Sequence, residues 1–411
     1  VQASAAAYLR TLQHQAGVGA RYAAIGLGFA TIVSTALVGT LLTVLLLTWL
    51  LSDRWEERLR LIRGNPVAVA GVALLLLSVV GILWSQGSAD QTLHLLNKHL
   101  KLLLIPILVT VMVDPADRRR GLIAMVAGLV LTLVLSYAIW VQILPTMPPH
   151  IIGTPDNPVV FRKHISQNTF MAYGVLLFAL FAWQAESVRV RWAWAGLAAL
   201  AAFDVLFMVQ GRTGHLALVA VTIVALFAAL RWRGVVLAAV AVSVAVAAAY
   251  TLAPGFKERM DQIPREAQQW DPDVASVTSV GLRLEFYSNT LTMIREHPLI
   301  GAGTGGFAAA YSEVVAGKDL NPTGNPHNQY LLTTAELGVV GLGVLLFFFF
   351  QHGRASGRLP DHPDRLLARG LLAVMVVGCM VNSLLLDHAE GVFFAYLTGL
   401  LFAGLPPRSA A

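Results

Sequence analysis

Apolar residues run through this chain in long continuous stretches, with short polar punctuation between them. None shows the alternation of a membrane barrel strand. Continuous apolar backbone in lipid must satisfy its own hydrogen bonds, which only a helix achieves. A helix crosses the hydrocarbon with about 20 residues. The pattern therefore predicts twelve spans, near 19–33, 35–51, 66–84, 99–113, 121–144, 166–184, 192–209, 214–230, 235–252, 327–350, 366–383 and 389–405, the first, second and fourth being short. The expected fold is an all-α polytopic bundle. Its organisation is nine helices over 1–252, one large hydrophilic loop over 253–326, and three helices over 327–411.

Inside the large loop the period changes. Over 281–296, Leu282, Phe286, Asn289 and Met293 recur on one helical face, with Arg283, Tyr287 and Thr290 on an adjacent polar stripe. Such a helix suits a membrane surface or a cap on the bundle. His297-Pro298 ends it, and a glycine-rich turn follows over 301–306. Glycines there permit close backbone approach to a ligand or simply break structure. With no strand before it and no Lys-Ser/Thr after it, this is not a nucleotide loop.

Composition supports the membrane reading. Of 411 residues, 56% are hydrophobic and 13% charged, against about 25% charged in soluble domains. The single cysteine, Cys379, lies in a predicted span, so no intrachain disulfide framework or thiolate zinc site is expected. The chain begins with Val1, so a few native residues are expected to precede it; no cleavable signal is expected.

Twelve spans place both termini on one side. Taking that side as cytoplasmic puts eighteen of the 29 Lys and Arg residues in short inside segments, as the positive-inside rule requires. The net charge of +6 is then topology, and no basic soluble domain points to nucleic acid. Eleven basic residues remain outside: Lys98, Lys101, Arg162, Lys163, Arg212, Lys257, Arg259, Arg265, Arg283, Arg295 and Lys318. Topology does not ask for these. Cations beside apolar runs need an anion, or must reach headgroups.

Two outer features stand out besides the loop. One is a proline-rich segment over 146–164, closing in Arg162-Lys163-His164-Ile165-Ser166-Gln167-Asn168. The other is the tight turn Gln210-Gly211-Arg212-Thr213-Gly214. Guanidinium groups grip phosphate oxygens bidentately. Arg212, joined by Arg283 and by Lys98, Lys101, Arg162 and Lys163, would suit a pyrophosphate at the membrane surface. His164, Gln167, Tyr287, Asn328 and Gln329 are further candidates to position substrate. The large loop closes in Asn325-Pro326-His327-Asn328-Gln329-Tyr330, holding an imidazole at the water–lipid boundary. Neutral near pH 7, His327 can take a proton from a hydroxyl. Imidazole and arginines together fit attack by a sugar hydroxyl on an anomeric carbon, with a lipid pyrophosphate leaving. From spacing alone, His327 equally fits a structural bond at a helix end. Glu336, nine positions along the same expected helix, and the intramembrane Asp204 are read first as structural partners. Asp271-Pro272-Asp273 reads as a solvated turn, and no metal or cofactor is expected.

At these residues the chain resembles the O-antigen ligase family, within the wider group of O-antigen ligases and polymerases. The matching features are 281–286, then His297-Pro298-Leu299-Ile300-Gly301-Ala302-Gly303, Pro326-His327-Asn328-Gln329-Tyr330-Leu331 and Glu336-Leu337-Gly338, with the arginine turn at Arg212. Gly211 stands where the family often carries Ser, which leaves no hydroxyl at that place. The resemblance implies about twelve helices and a periplasmic loop between the ninth and tenth. It implies transfer of a polysaccharide from undecaprenyl pyrophosphate to lipid A–core, on the periplasmic face of the bacterial inner membrane, by a metal-independent inverting mechanism. The family's histidine maps to His327, its arginines to Arg212 and Arg283, and its basic residue near the fourth helix to Lys98 or Lys101. A polymerase joining two lipid-linked glycans shares these motifs. A transporter of an anionic lipid is a further alternative; it should show paired broken helices and inverted repeats, and the sequence signals neither.

Overall fold

The computed structural model describes residues 2–52, 54–144, 153–252 and 254–406. The proline-rich segment is thus described only from residue 153, and Arg408 lies outside the described residues. Seventeen α-helices occur among the described residues: α1 (Gln2–Val33), α2 (Thr35–Leu51), α3 (Trp55–Gly64), α4 (Pro66–Val80), α5 (Ala89–His99), α6 (Leu104–Val111), α7 (Pro115–Trp140), α8 (His164–Gln184), α9 (Val188–Phe203), α10 (Arg212–Leu230), α11 (Trp232–Leu252), α12 (Pro254–Gln268), α13 (Ser279–Glu296), α14 (Phe307–Val314), α15 (Gln329–Ser356), α16 (His362–Gly378) and α17 (His388–Phe402). The fold is all-α and polytopic.

Eight of these segments are long and apolar enough to cross a bilayer, or nine if α2 and α3, bent by 117°, form one span. Four expected spans account for the difference from twelve: α2 has 17 residues, α11 counts as apolar only over Trp232–Val244, and the runs expected as the eleventh and twelfth spans give α16 with 17 residues and α17 with 15. Between them the chain turns through 379–387, a connector that contributes to the site. The run expected at 99–113 instead joins α5 through a 3₁₀ turn, Leu100–Leu103.

Sequence caps set several boundaries. Asn65 accepts from the amides of Val67 and Ala68 ahead of α4, with Pro66 at its first position. Asp114 and Pro115 start α7 in the same manner, satisfying amides the helix leaves unpaired. The Asn65 amide also donates to the Phe402 carbonyl, fixing the start of α4 to the end of α17. α17 is buried around most of its circumference, and Phe393, Phe394, Tyr396 and Phe402 are wholly enclosed with Phe170, Tyr173, Phe178 and Phe348. A helix apolar on all sides belongs in the centre of a bundle.

The large loop is not a loose cover. α13 lies over α15 and α14, burying Phe286, Asn289 and Met293 as its periodicity predicts. The glycine-rich turn then enters a break in α15. At Gly338 the helix backbone takes φ 65° and ψ −167°, a region that disfavours any residue with a Cβ. The groups freed by this break pair with the loop. Ala302 and Gly303 amides donate to the Ala335 and Glu336 carbonyls, and the Val339 amide to the Pro298 carbonyl at 2.9 Å. The Glu336 carboxylate accepts from the Gly305 amide. This turn therefore holds protein rather than ligand, and α15 is a broken helix that the sequence did not signal.

Candidate functional site

His327 does not sit on the helix that the sequence predicted for it. α15 begins two residues later, with Asn328 as its cap, accepting from the amides of Tyr330 and Leu331. His327 itself has φ 55°, an uncommon backbone for a residue with a side chain. Its amide donates to Asn325 Oδ1 at 2.8 Å, an oxygen that also accepts from Ser383 Oγ. The residue is exposed but its ring is partly covered, its centre lying 6.3 Å from that of Phe286 on α13. The same helix brings Arg283 beside it.

The connector 379–387 gathers the remaining pieces. The Asn328 amide group and the Tyr287 hydroxyl donate to the Met380 carbonyl, at 3.0 and 3.3 Å. The Gln329 amide donates to the Cys379 carbonyl, while its side-chain oxygen accepts from the Leu386 amide. Asn382 Nδ2 donates to Thr213 Oγ1 at 2.6 Å, which ties the start of α10, and so Arg212, to the same strip of chain. Lys101 Nζ donates to the carbonyls of Leu386 and Asp387. One short segment thus touches the elements that carry His327, Arg212, Tyr287 and Lys101.

These contacts sort the sequence candidates. Arg212, Lys163 and His164 are exposed, and Arg283 and Lys98 half-buried; all five lack a side-chain hydrogen bond or ion pair within the described residues. Arg162 does not. Its guanidinium donates to the carbonyls of Ala30, Thr31 and Ile32 and to Thr35 Oγ1, so it caps the end of α1. Gln167 is buried, donating to the Pro158 carbonyl and accepting from the Val160 amide. Gln329, Asn328 and Lys101 hold backbone in the same sense, and of the two lysines Lys98 has the free ammonium. Buried Asp204 accepts from Ser136 Oγ. Asp271 and Asp273 lie in an exposed turn, in which Asp271 Oδ1 accepts from the Asp273 amide.

The arginine turn also accounts for its glycine. A Cβ on Gly211 would stand 2.8 Å from Asn168 Nδ2, and that amide group is held by the Val209 carbonyl at 2.9 Å. Asn168 occupies the space a serine would need.

Sequence reasoning missed Asp387. It stands just before the first turn of α17 without a side-chain bond to that helix's amides, is half-buried, and feels the charges of Lys101, Lys98, His327 and Lys163. Loss of surrounding water raises its pKa above the usual carboxylate value, and those cations pull it back. The pKa of His327 is lowered from 6.5, first by partial burial and then by Arg283; the Asp387 charge works in the opposite direction. The ring is therefore a neutral proton acceptor at pH 7. The arrangement offers a base, a nearby carboxylate and a rim of cations suited to a phosphorylated leaving group.

The family model described as O-antigen ligase matches residues 197–347. That interval runs from α9 into α15 and contains Arg212, Arg283, His327 and the glycine-rich turn; Lys98, Lys163 and Asp387 come from outside it. No match to the chain is found among curated proteins.

Proposed function

We propose that this chain, a member of the O-antigen ligase family, transfers a glycan from undecaprenyl pyrophosphate to a sugar hydroxyl of lipid A–core. His327 takes the hydroxyl proton as the oxygen attacks the anomeric carbon. The bond from that carbon to the pyrophosphate oxygen breaks, and its electron pair leaves with the pyrophosphate. Arg212 and Arg283 hold the departing charge, with Lys98 and Lys163 adding to the field; binding that grows with the developing charge lowers the barrier. Asp387 stabilises the imidazolium that forms. Inverting transfer follows from a single displacement, and no residue is assigned to a metal. The enzyme would lie in the bacterial inner membrane, its termini cytoplasmic and His327 at the periplasmic face, among membrane lipids.

The observation that carries this reading is the His327 ring with Arg283 and Asp387 acting on it, held through Asn325 to a connector that also anchors the helix of Arg212. The test is reconstitution with lipid-linked glycan as donor and lipid A–core as sole acceptor. His327→Ala should lower transfer by about 10²- to 10⁴-fold, with unchanged thermal unfolding. Full transfer by that variant refutes the base. Product formed only from two lipid-linked glycans identifies a polymerase instead. Arg212→Ala should weaken retention of a labelled donor in detergent, and undiminished retention removes Arg212 from the pyrophosphate.

A further inference from the structure

The large loop carries an apolar surface where a loop bathed in water would carry a polar one. Leu299 and Ile300, just after α13, are 67% and 50% exposed. Their neighbours are helix faces that look outward from the bundle. The Pro298 and Leu299 carbonyls accept from the amides of Val339 and Val340, whose side chains are exposed on α15. The Ile300 carbonyl accepts from Trp84 Nε1 at 3.0 Å. Trp84 ends the apolar run that begins with α4, and in that run Leu76, Val79, Val80 and Leu83 are exposed. Spacings of three and four put these on one helical stripe. The stripe of α4, the outward valines of α15 and the loop tip therefore adjoin in one apolar surface, the kind that marks an interaction site.

Lengths place this surface in the membrane rather than above it. The run Pro66–Trp84 has 19 residues, about 28 Å of helix, against a hydrocarbon core of about 30 Å. With Arg63 just before its start, Trp84 stands at the opposite boundary, where indole rings collect. The glycine-rich turn reaches below that level. The Thr304 amide donates to the Gly81 carbonyl, and Thr304 Oγ1 to the Ser78 carbonyl at 2.6 Å. Ser78 lies about 9 Å inside the end of the run, on the rise of an α-helix. Irregular backbone at such depth persists only where its polar groups find partners in the protein. Here the carbonyls of Pro298, Leu299, Ile300, Ala302, Gly303 and Thr304 each accept a hydrogen bond from the protein. A loop in water could leave them to solvent.

We propose that Leu299 and Ile300 insert among lipid acyl chains, in the leaflet at the His327 end of the bundle. The large loop is then re-entrant at its tip, and the tip is an anchor. Acyl chains are the occupant because the surface continues the outward faces of two membrane-crossing segments and its side chains are all apolar. The anchor follows directly on α13, so it fixes the helix of Arg283 at the membrane surface.

Leu299→Cys, Ile300→Cys, Val340→Cys and Lys318→Cys are made singly in full-length Cys379→Ser protein, labelled with a nitroxide and reconstituted in phosphatidylcholine vesicles. Power saturation compares collisions with oxygen, which concentrates in hydrocarbon, and with a neutral nickel chelate, which stays in water. Position 340 calibrates the lipid face and position 318 the aqueous one. At 299 and 300 oxygen collisions should exceed nickel collisions, as at 340, and at 318 the order should reverse. Ile300→Cys decides alone if Leu299→Cys does not fold. An excess of nickel collisions at either tip position puts the tip in water and overturns the proposal. Few collisions with both reagents would mean that protein covers the tip, a second copy of the chain included, and overturns it equally. The measurement does not use glycan transfer.

Discussion

His327 shows how little of a residue's chemistry is its own. Partial burial lowers its proton affinity first, and two neighbours of opposite charge then adjust it, each of which can be removed. In the wild type, transfer should fall on the acid side only as pH passes through a pKa below 6.5, because a base must be unprotonated. Arg283→Gln deletes a cation that disfavours imidazolium, so the acid limb should move to higher pH. Asp387→Asn deletes an anion that favours it, so the limb should move to lower pH. A pH–rate profile of kcat/KM for the three proteins decides; limbs that stay together would exclude His327 as the titrating base. The sequence led to His327, Arg212 and Arg283 because nothing in their topology required a polar residue there. It missed Asp387, which stands 60 positions from His327 and reads as an ordinary acid between two apolar runs. It took in Arg162, Gln167 and Gln329 for a converse reason. Where irregular backbone lies among apolar helices, carbonyls and amides need partners, and a polar side chain serving them looks, in sequence, like one serving a substrate.

At the scale of elements, the same demand organises α15 and α1. The break at Gly338 works because loop 298–303 supplies partners to the freed backbone. A Cβ at Gly338 would stand 2.0 Å from the Leu299 carbonyl oxygen, a collision added to the ~1–3 kcal/mol cost of a backbone region that is essentially confined to glycine. Gly338→Ala should therefore lower the thermal midpoint and loosen the glycine-rich turn, read as faster amide exchange at Ala302 and Gly303. Unaltered exchange would mean the two segments are not coupled. Arg162→Ala tests the cap on α1. It strips donors from three carbonyls, and each unsatisfied buried group costs about 1–3 kcal/mol. The variant should lose stability while the folded fraction keeps donor affinity; the reverse pattern would return Arg162 to the substrate. The helices themselves were legible as apolar runs, and the 281–296 period located α13 closely. The break was not, since Leu337-Gly338-Val339 continues an apolar run and glycine is frequent in membrane helices.

The whole molecule separates two charge groups along its helices. Arg10, Arg21, Arg54 and Arg58 meet at one end, while Lys98, Lys163, Arg212, Arg283 and His327 cluster about the 379–387 connector at the other. If the connector end faces the periplasm, accessibility must differ between the ends. Cys379 is the one cysteine of the chain and is fully buried, so Cys379→Ser gives a silent background. On it, Lys318→Cys in the large loop and Arg60→Cys on α3 each place one thiol at an exposed position. In cells with a permeabilised outer membrane, a charged maleimide should modify the thiol at 318 at once and that at 60 only after the inner membrane is opened. Labelling of both from outside would place α3 and the histidine on one aqueous face. The donor's pyrophosphate would then have no reason to prefer the connector, and single-sided transfer would lose its structural basis.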